Sequence, residues 1–328
     1  MADGLKLNLK EAIVLKNAEG TWWEIKGKDS SGASFSWVAP IAFVVDVSIS
    51  QTVSFNIPLD DGIIDWGDGN TTAVTGSALY SHTYSASTGT YKVVVYGDVY
   101  YDWYLYQTTA TNNVVSFISY GNVGDRISYF DSDNLTSCPS ELPPRLTALN
   151  RAFRRCSSFN SPNVTTWDTS KITGMTSVFD DATAFNQDIS GWDTQNVFSF
   201  IATFEGATSF NQDLSGWDVS GAVYMEGMFD GSSSFNQDLG SWDISNVGYM
   251  SYMFDSSGMS TENYSRTLIG WANSHFEGNA QDNVVLGAYG VTYNNTAYTT
   301  GNQFNDGASA RAYLVGTAGW TITDGGQV

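Results

Sequence analysis

The residues of this 328-residue chain that could do chemistry are carboxylates laid out in rows. Asp168, Asp193, Asp218 and Asp243 each follow a tryptophan, and Asp188, Asp213 and Asp238 each close an Asn-Gln-Asp triplet. Successive members stand 25 residues apart. In a stacked repeat such rows bring like charges to roughly 5 Å, the spacing of paired strands. Each carboxylate then needs hydrogen-bond donors or a shared cation. One reading makes them caps on turn N–H groups of the next repeat. Another makes Asp188, Asp213 and Asp238 a Ca²⁺ ladder, although Ca²⁺ takes about 6–8 oxygens and no D-x-[DN]-x-[DN]-G spacing is present. Paired catalytic acids fit poorly, because acid/base work needs contrasting environments and a row supplies equivalents.

Asn186, Asn211 and Asn236 suit an amide ladder between neighbouring repeats. Beside them, Gln187, Gln212 and Gln237 are candidate ligand-binding side chains, together with Asp188, Asp213 and Asp238. The loops 206–209 and 231–234 are an alternative contact surface. A further one is the aromatic run around Tyr101, Trp103 and Tyr104, residue types favoured at interfaces. The tryptophans Trp167, Trp192, Trp217 and Trp242 suit either a sugar-stacking strip or a core. They recur in phase with Ile189, Leu214 and Leu239, which favours core. His82 reads as a packing residue beside Trp66, and His275 is distant in sequence. Cys138 and Cys156 read as small buried residues, with a disulfide between them left open. No nucleophile elbow, P-loop, dinucleotide fingerprint, CxxC pair or HExxH occurs. The expectation is a protein that is not an enzyme and takes no cofactor, Ca²⁺ apart.

These rows are positioned by a repeat. It reads FNQDISGWDTQNV from Phe185, FNQDLSGWDVSGA from Phe210 and FNQDLGSWDISNV from Phe235. Units of this length cannot bury their own apolar face and must stack. Ile172, Met175 and Phe179 are spaced 3 and 4, as are Val197/Phe200/Phe204, Ala222/Met225/Phe229 and Val247/Met250/Phe254. That spacing predicts a helical turn or two per unit. A short strand through Phe185, Ile189 and Trp192 would follow, and stacked strands would form a parallel sheet. The step from Phe153 to Phe179 is one residue longer, with the extra residue in NSPNVTTW expected as a bulge.

The predicted fold class is β-rich α+β. Residues 1–38 form a docking segment with strands near Leu5–Leu9 and Thr21–Ile25. Residues 39–100 form an immunoglobulin/PKD-like β-sandwich with strands Phe43–Ile49, Thr52–Ile57, Ile63–Trp66, Ser81–Tyr84 and Tyr91–Tyr96. Residues 101–257 form a leucine-rich-repeat-like solenoid. Residues 258–328 form an α/β cap, with helices at Ser260–Asn273 and Ala308–Val315 and strands at Val284–Tyr293 and Trp320–Thr323. Ser260 or Thr261 caps the first helix, with Glu262 in its first turn. Leu268, Trp271 and Trp320 are expected to cover the end of the array.

Charge limits the partners. Lys and Arg total 14 against 34 Asp and Glu, a net charge of −20, which repels nucleic acid and anionic membranes. No apolar run is long enough to span a bilayer, and the first residues lack the apolar stretch of a signal peptide. Residues 1–30 balance five Lys against five acids, which marks them as a separate attachment piece.

Two resemblances follow. WGDG at Trp66, HTY at His82 and GTYKVVV at Gly89 resemble the PKD-type immunoglobulin-like domain, a module of extracellular and surface proteins. FNQD(I/L)SxWD, the MFD units at Met228 and Met253 and the ending GWTITDGG at Gly319 resemble the BspA-like family of bacterial and phage surface proteins, with 25-residue leucine-rich-type repeats. The resemblance implies a non-enzymatic recognition protein that binds a host-cell protein or glycan. With no leader seen, the expected place is the virion surface, as a phage fibre, receptor-binding or capsid-decoration protein. It would be present in many copies or as a homo-oligomer, and held to other virion structural proteins through residues 1–38. The alternatives are a bacterial cell-surface adhesin and a glycan depolymerase. The last needs an acidic pair in a groove, and no two residues single themselves out for it.

Overall fold

The computed structural model describes residues 13–16, 23–28, 34–38, 41–48, 51–57, 62–76, 78–96, 103–104, 114–120, 127–128, 132–143, 145–298 and 300–328. The expected strand at Leu5–Leu9 lies outside them. The chain divides into two compact units. One is Met1–Ile127 with Ser137–Leu146, the other Ser128–Thr136 with Thr147–Val328.

The first unit is antiparallel β-structure. Strands β1 (Ile13–Lys16), β2 (Trp23–Lys28) and β3 (Ser34–Val38) form a sheet in that order. Next come β4 (Ile41–Asp46), β5 (Thr52–Ile57), β6 (Gly62–Asp65), β7 (Thr71–Val74), β8 (Ala78–Thr83) and β9 (Thr90–Tyr96). They are followed by β10 (Trp103–Tyr104), β11 (Val114–Tyr120) and β12 (Ile127–Ser128). A five-stranded sheet runs β11-β4-β9-β6-β7, while among the described residues β5 pairs with β8 and β10 with β12. The β-branched run of β9 suits its central place, and Val93, Val94 and Val95 are all buried. After β6 the chain turns at Gly67 (φ +81°), where a Cβ would collide with the Lys92 carbonyl oxygen.

In the second unit the 25-residue repeats bond to one another along a run of turns. The N–H groups of Phe200, Ala202, Phe204 and Gly206 donate to the carbonyls of Tyr224, Glu226, Met228 and Asp230, one unit on, at 2.8–2.9 Å. The N–H groups between them, Thr203 and Glu205, donate back three residues, to Phe200 and Ala202. Backbone donors are thus satisfied alternately across units and within them. Each unit places two residues four apart in the left-handed region: Arg151 and Arg155, Ser177 and Asp181, Ala202 and Gly206, Gly227 and Gly231, Tyr252 and Ser256.

Inside, aromatic rings form columns. Phe153, Phe179, Phe204, Phe229 and Phe254 stack at 5.5–5.9 Å centroid spacing. Phe159, Phe185, Phe210 and Phe235 stack beside them at 5.8–6.2 Å. Helix α1 (Thr261–Phe276) follows the last unit, capped by the Ser260 hydroxyl accepting from the Asn263 N–H at 3.2 Å. Strand β13 (Tyr249–Met250) pairs in parallel with β14 (Val285–Ala288), and β14 with β15 (Thr321–Asp324). Helix α2 (Gly307–Gly316) packs with α1. Among the described residues no helix is long and apolar enough to cross a membrane.

The predicted fold class is corrected on three counts. Among the described residues there is no solenoid sheet: the strand-type pairing between successive units is confined to single-residue bridges, Ala148–Gly174–Ser199–Tyr224–Tyr249, and the one parallel sheet is the short β13-β14-β15. The expected helical turn per unit is absent, because N–H groups spaced two apart leave for the next unit and positive φ breaks the helix twice. Among the described residues the strands before the repeats fall into separate small sheets, none of them closed, and the five-stranded one takes β11 from outside residues 39–100. In place of the bulge at NSPNVTTW stands a 3₁₀ helix, Pro162–Thr166.

Candidate functional site

The sequence-predicted columns are mostly occupied in holding the units together. Asn160, Asn186 and Asn211 each accept, through Oδ1, the backbone N–H one unit on, at Asn186, Asn211 and Asn236 (2.8–3.0 Å). Gln187, Gln212 and Gln237 donate Nε2 to the Oδ1 and the carbonyl of the same asparagines, at 2.7–3.2 Å. The glutamine amide nitrogens therefore take part in the ladder between units. Asn263 of α1 continues this column on Asn236.

The aspartates bond differently from expectation. Asp188, Asp213 and Asp238 accept the N–H two residues on within their own turn, at Ser190, Ser215 and Gly240 (2.9–3.0 Å). Asp168, Asp193, Asp218 and Asp243 do the same. They are Asx turns, local to each unit, since an aspartate reaches its own chain two residues on before it reaches a neighbour. The Ser170, Ser190 and Ser220 hydroxyls, then the backbone N–H of the same serines, hold the carboxyls of Asp168, Asp188 and Asp218 below the usual range. Among the described residues no three His, Cys, Asp or Glu side chains converge as metal ligands.

The tryptophans lie in the core. Trp167, Trp192, Trp217 and Trp242 are 2–4% exposed. The indole N–H of Trp192, Trp217 and Trp242 donates to the carbonyls of Val164, Ile189 and Leu214 (2.9–3.0 Å). His82 stacks on Trp66 at 5.0 Å and bonds Asp68 at 2.7 Å. Burial pushes the Asp68 carboxyl up, but the bonds from His82 and Asn70 outweigh it and the net shift is downward. Cys138 and Cys156 are buried thiols. Tyr101 lies outside the described residues, and Trp103 and Tyr104 are described only as backbone of β10.

Two features escaped the sequence reading. The first is a further acidic row at the same step, Asp180, Glu205, Asp230 and Asp255, each following a column phenylalanine. Arg154 closes one end, pairing with the buried Asp180 at 2.7 Å. Burial first, then the charges of Asp180, Asp230 and Asp181, push the Glu205 carboxyl up. Burial and then Asp255 do the same for Asp230, and burial does so for Glu226. The signal was present in the spacing but hidden one residue after a core position.

The second is an exposed aromatic face at the C-terminal end of the repeats. Tyr249 is 52% exposed, Tyr252 64% and Tyr289 66%. Tyr249 stacks on Tyr224 at 5.1 Å and lies in register with the exposed Val285. The Tyr289 backbone N–H donates to the Asp255 carboxylate at 2.8 Å, so the last member of the acidic row is tied to the backbone at Tyr289.

Residues 147–267 match the family described as Mycoplasma protein of unknown function, DUF285, which is consistent with a BspA-like surface protein. The matched span holds the tryptophan units and the first turns of α1. No curated protein and no solved structure matches the chain.

Proposed function

We propose that this chain is a non-enzymatic surface-recognition protein that binds a partner on a host cell through the outer face of its repeat units. The observation that carries the reading is the Tyr249, Tyr252 and Tyr289 face. The residues that recur in phase are engaged in the core, the ladder and the local turns, whereas Tyr249, Tyr252 and Tyr289 are each more than half exposed. Their backbones lie on neighbouring segments, Tyr249 paired with Val285 and the Tyr289 carbonyl accepting from the Ser256 N–H; exposed apolar patches mark interaction sites, and such a face supplies affinity by area, without a deep pocket.

The place of display has two readings. In one, the protein is a virion component, held to other virion proteins through residues 1–38. The likeness to a Mycoplasma family favours the other, an adhesin on a bacterial cell surface. Antibody detection in purified phage particles and in bacterial envelope fractions separates them. Recognition itself is tested by adhesion of the purified chain to candidate host cells, and no saturable adhesion would sink it. Loss of surface polysaccharide on incubation with the pure chain would overturn the non-enzymatic part.

A further inference from the structure

We infer that the face formed by Tyr249, Tyr252 and Tyr289 takes a basic, extended segment of a partner protein, with Lys or Arg side chains over the phenol rings and against the carboxylates of Asp230 and Asp255. This rests on the recognition reading and names the chemistry of its partner.

Three observations carry it. Tyr252 sits in the left-handed region at φ +62° while more than half exposed. The same position is Arg151, Ser177, Ala202 and Gly227 in the other units, so the turn itself does not need an aromatic there. The second is the partner row. Asp255 binds the Tyr289 N–H through its carboxylate, and its carbonyl accepts from the Gly231 N–H at 2.8 Å, which sets Asp230 beside Asp255 in the neighbouring unit. A cation placed there relieves the repulsion between the two, and cations gain further by lying over tyrosine rings. The third is the overall charge of −20, which steers a basic partner toward the chain and turns acidic ones away. A neutral glycan would stack on the same rings but gain nothing from the carboxylates of Asp230 and Asp255.

The full-length chain is titrated against a fluorescent peptide of alternating Arg and Gly, with an alternating Gln-Gly peptide as the neutral control. The Arg-Gly peptide is expected to bind and the Gln-Gly peptide not to. Tyr252→Gly relieves the backbone conformation, so it folds; it is expected to weaken binding by about tenfold. The double substitution Asp230→Asn with Asp255→Asn, which keeps an acceptor for the Tyr289 N–H, is expected to weaken it to a similar degree. Asp218→Asn with Asp243→Asn removes the same charge elsewhere and is expected to change affinity by less than about twofold. Equal losses in the two double variants would reduce the effect to general charge attraction and overturn the proposal. Undiminished binding by Tyr252→Gly, displacement of the peptide by a neutral dextran, or no peptide binding at all would overturn it too. If Tyr252→Gly still adheres to host cells as the unaltered chain does, this inference falls and the recognition reading stands. If the unaltered chain does not adhere, that reading fails on its own.

Discussion

Gly270 of α1 lies so close to Gly240 that a Cβ on Gly270 would collide with the Gly240 carbonyl oxygen. The helix is therefore seated backbone against backbone on the last repeat. Two side chains complete the fit. The Trp271 indole donates to the Leu239 carbonyl at 3.0 Å, the bond that Trp192, Trp217 and Trp242 each make to the unit before. Trp271 also stacks on Phe254 at 6.1 Å. In this way a helix ends a series of units built without one.

Gly270→Ala sets two effects against each other. Alanine in a helix interior is favoured over glycine by about 1 kcal/mol. The Gly240 contact is backbone and cannot step aside, and overpacking of this kind costs about 1–3 kcal/mol. Packing is expected to win, with a lower urea midpoint at unchanged slope. A raised midpoint would show that α1 is not held where the structure places it.

Trp217→Phe keeps most of the buried ring and removes one donor. The Ile189 carbonyl accepts from Trp217 at 3.0 Å and from the Trp192 backbone N–H at 3.1 Å, so it loses one of two partners. The expected loss is about 0.5–1.5 kcal/mol, that of one ordinary hydrogen bond, read by chemical denaturation. A loss no larger than that of a surface substitution would count against the tryptophan N–H as a tie between units.

Asn211 tests the ladder. Its Oδ1 accepts from the Asn236 N–H at 2.8 Å and from Gln237 Nε2 at 2.7 Å. Asn211→Ala is expected to lower stability by about 1–2 kcal/mol, whereas Asn211→Asp retains an acceptor and keeps most of it. If the two variants melt alike, the oxygen is not what matters.

Much of this was legible from spacing alone. The 25-residue step located the buried tryptophan and phenylalanine columns and the asparagine ladder, because a residue that recurs in phase in a stacked unit meets its own equivalent. Ser260 and Glu262 marked the start of α1 by ordinary capping rules. What spacing does not carry is the choice of bonding partner. Met175 and Phe179 look helical, yet their N–H groups donate to Ser199 and Thr203 in the next unit. Asp188 looked able to reach the next unit, yet it closes its own turn on Ser190. No residue type announces that Tyr252 takes a positive φ, and the Glu205 row was masked by the phenylalanines before it.

The two kinds of acid predict an acidic optimum of stability. Glu205, Glu226 and Asp230 hold their protons more tightly in the folded chain than in the unfolded one, through burial and, for Glu205 and Asp230, neighbouring negative charge. Their contribution is fully present below the unfolded carboxyl values near about 4 and is lost as pH rises through the raised folded values. Asp168, Asp188 and Asp218 run the other way, since serine hydroxyl and N–H donors favour the ionised form. Their contribution is present above about pH 4 and is lost as pH falls through the lowered folded values. The melting temperature is therefore expected to rise from pH 7 toward about pH 4.5 and to fall again below about pH 3.5. Asp230→Asn removes one raised group and its repulsion from Asp255, so it is expected to lift stability at pH 7 and flatten the upper limb. A melting temperature that declines steadily from pH 7 to 4.5 would mean that the Glu205 row does not bear the strain its burial implies.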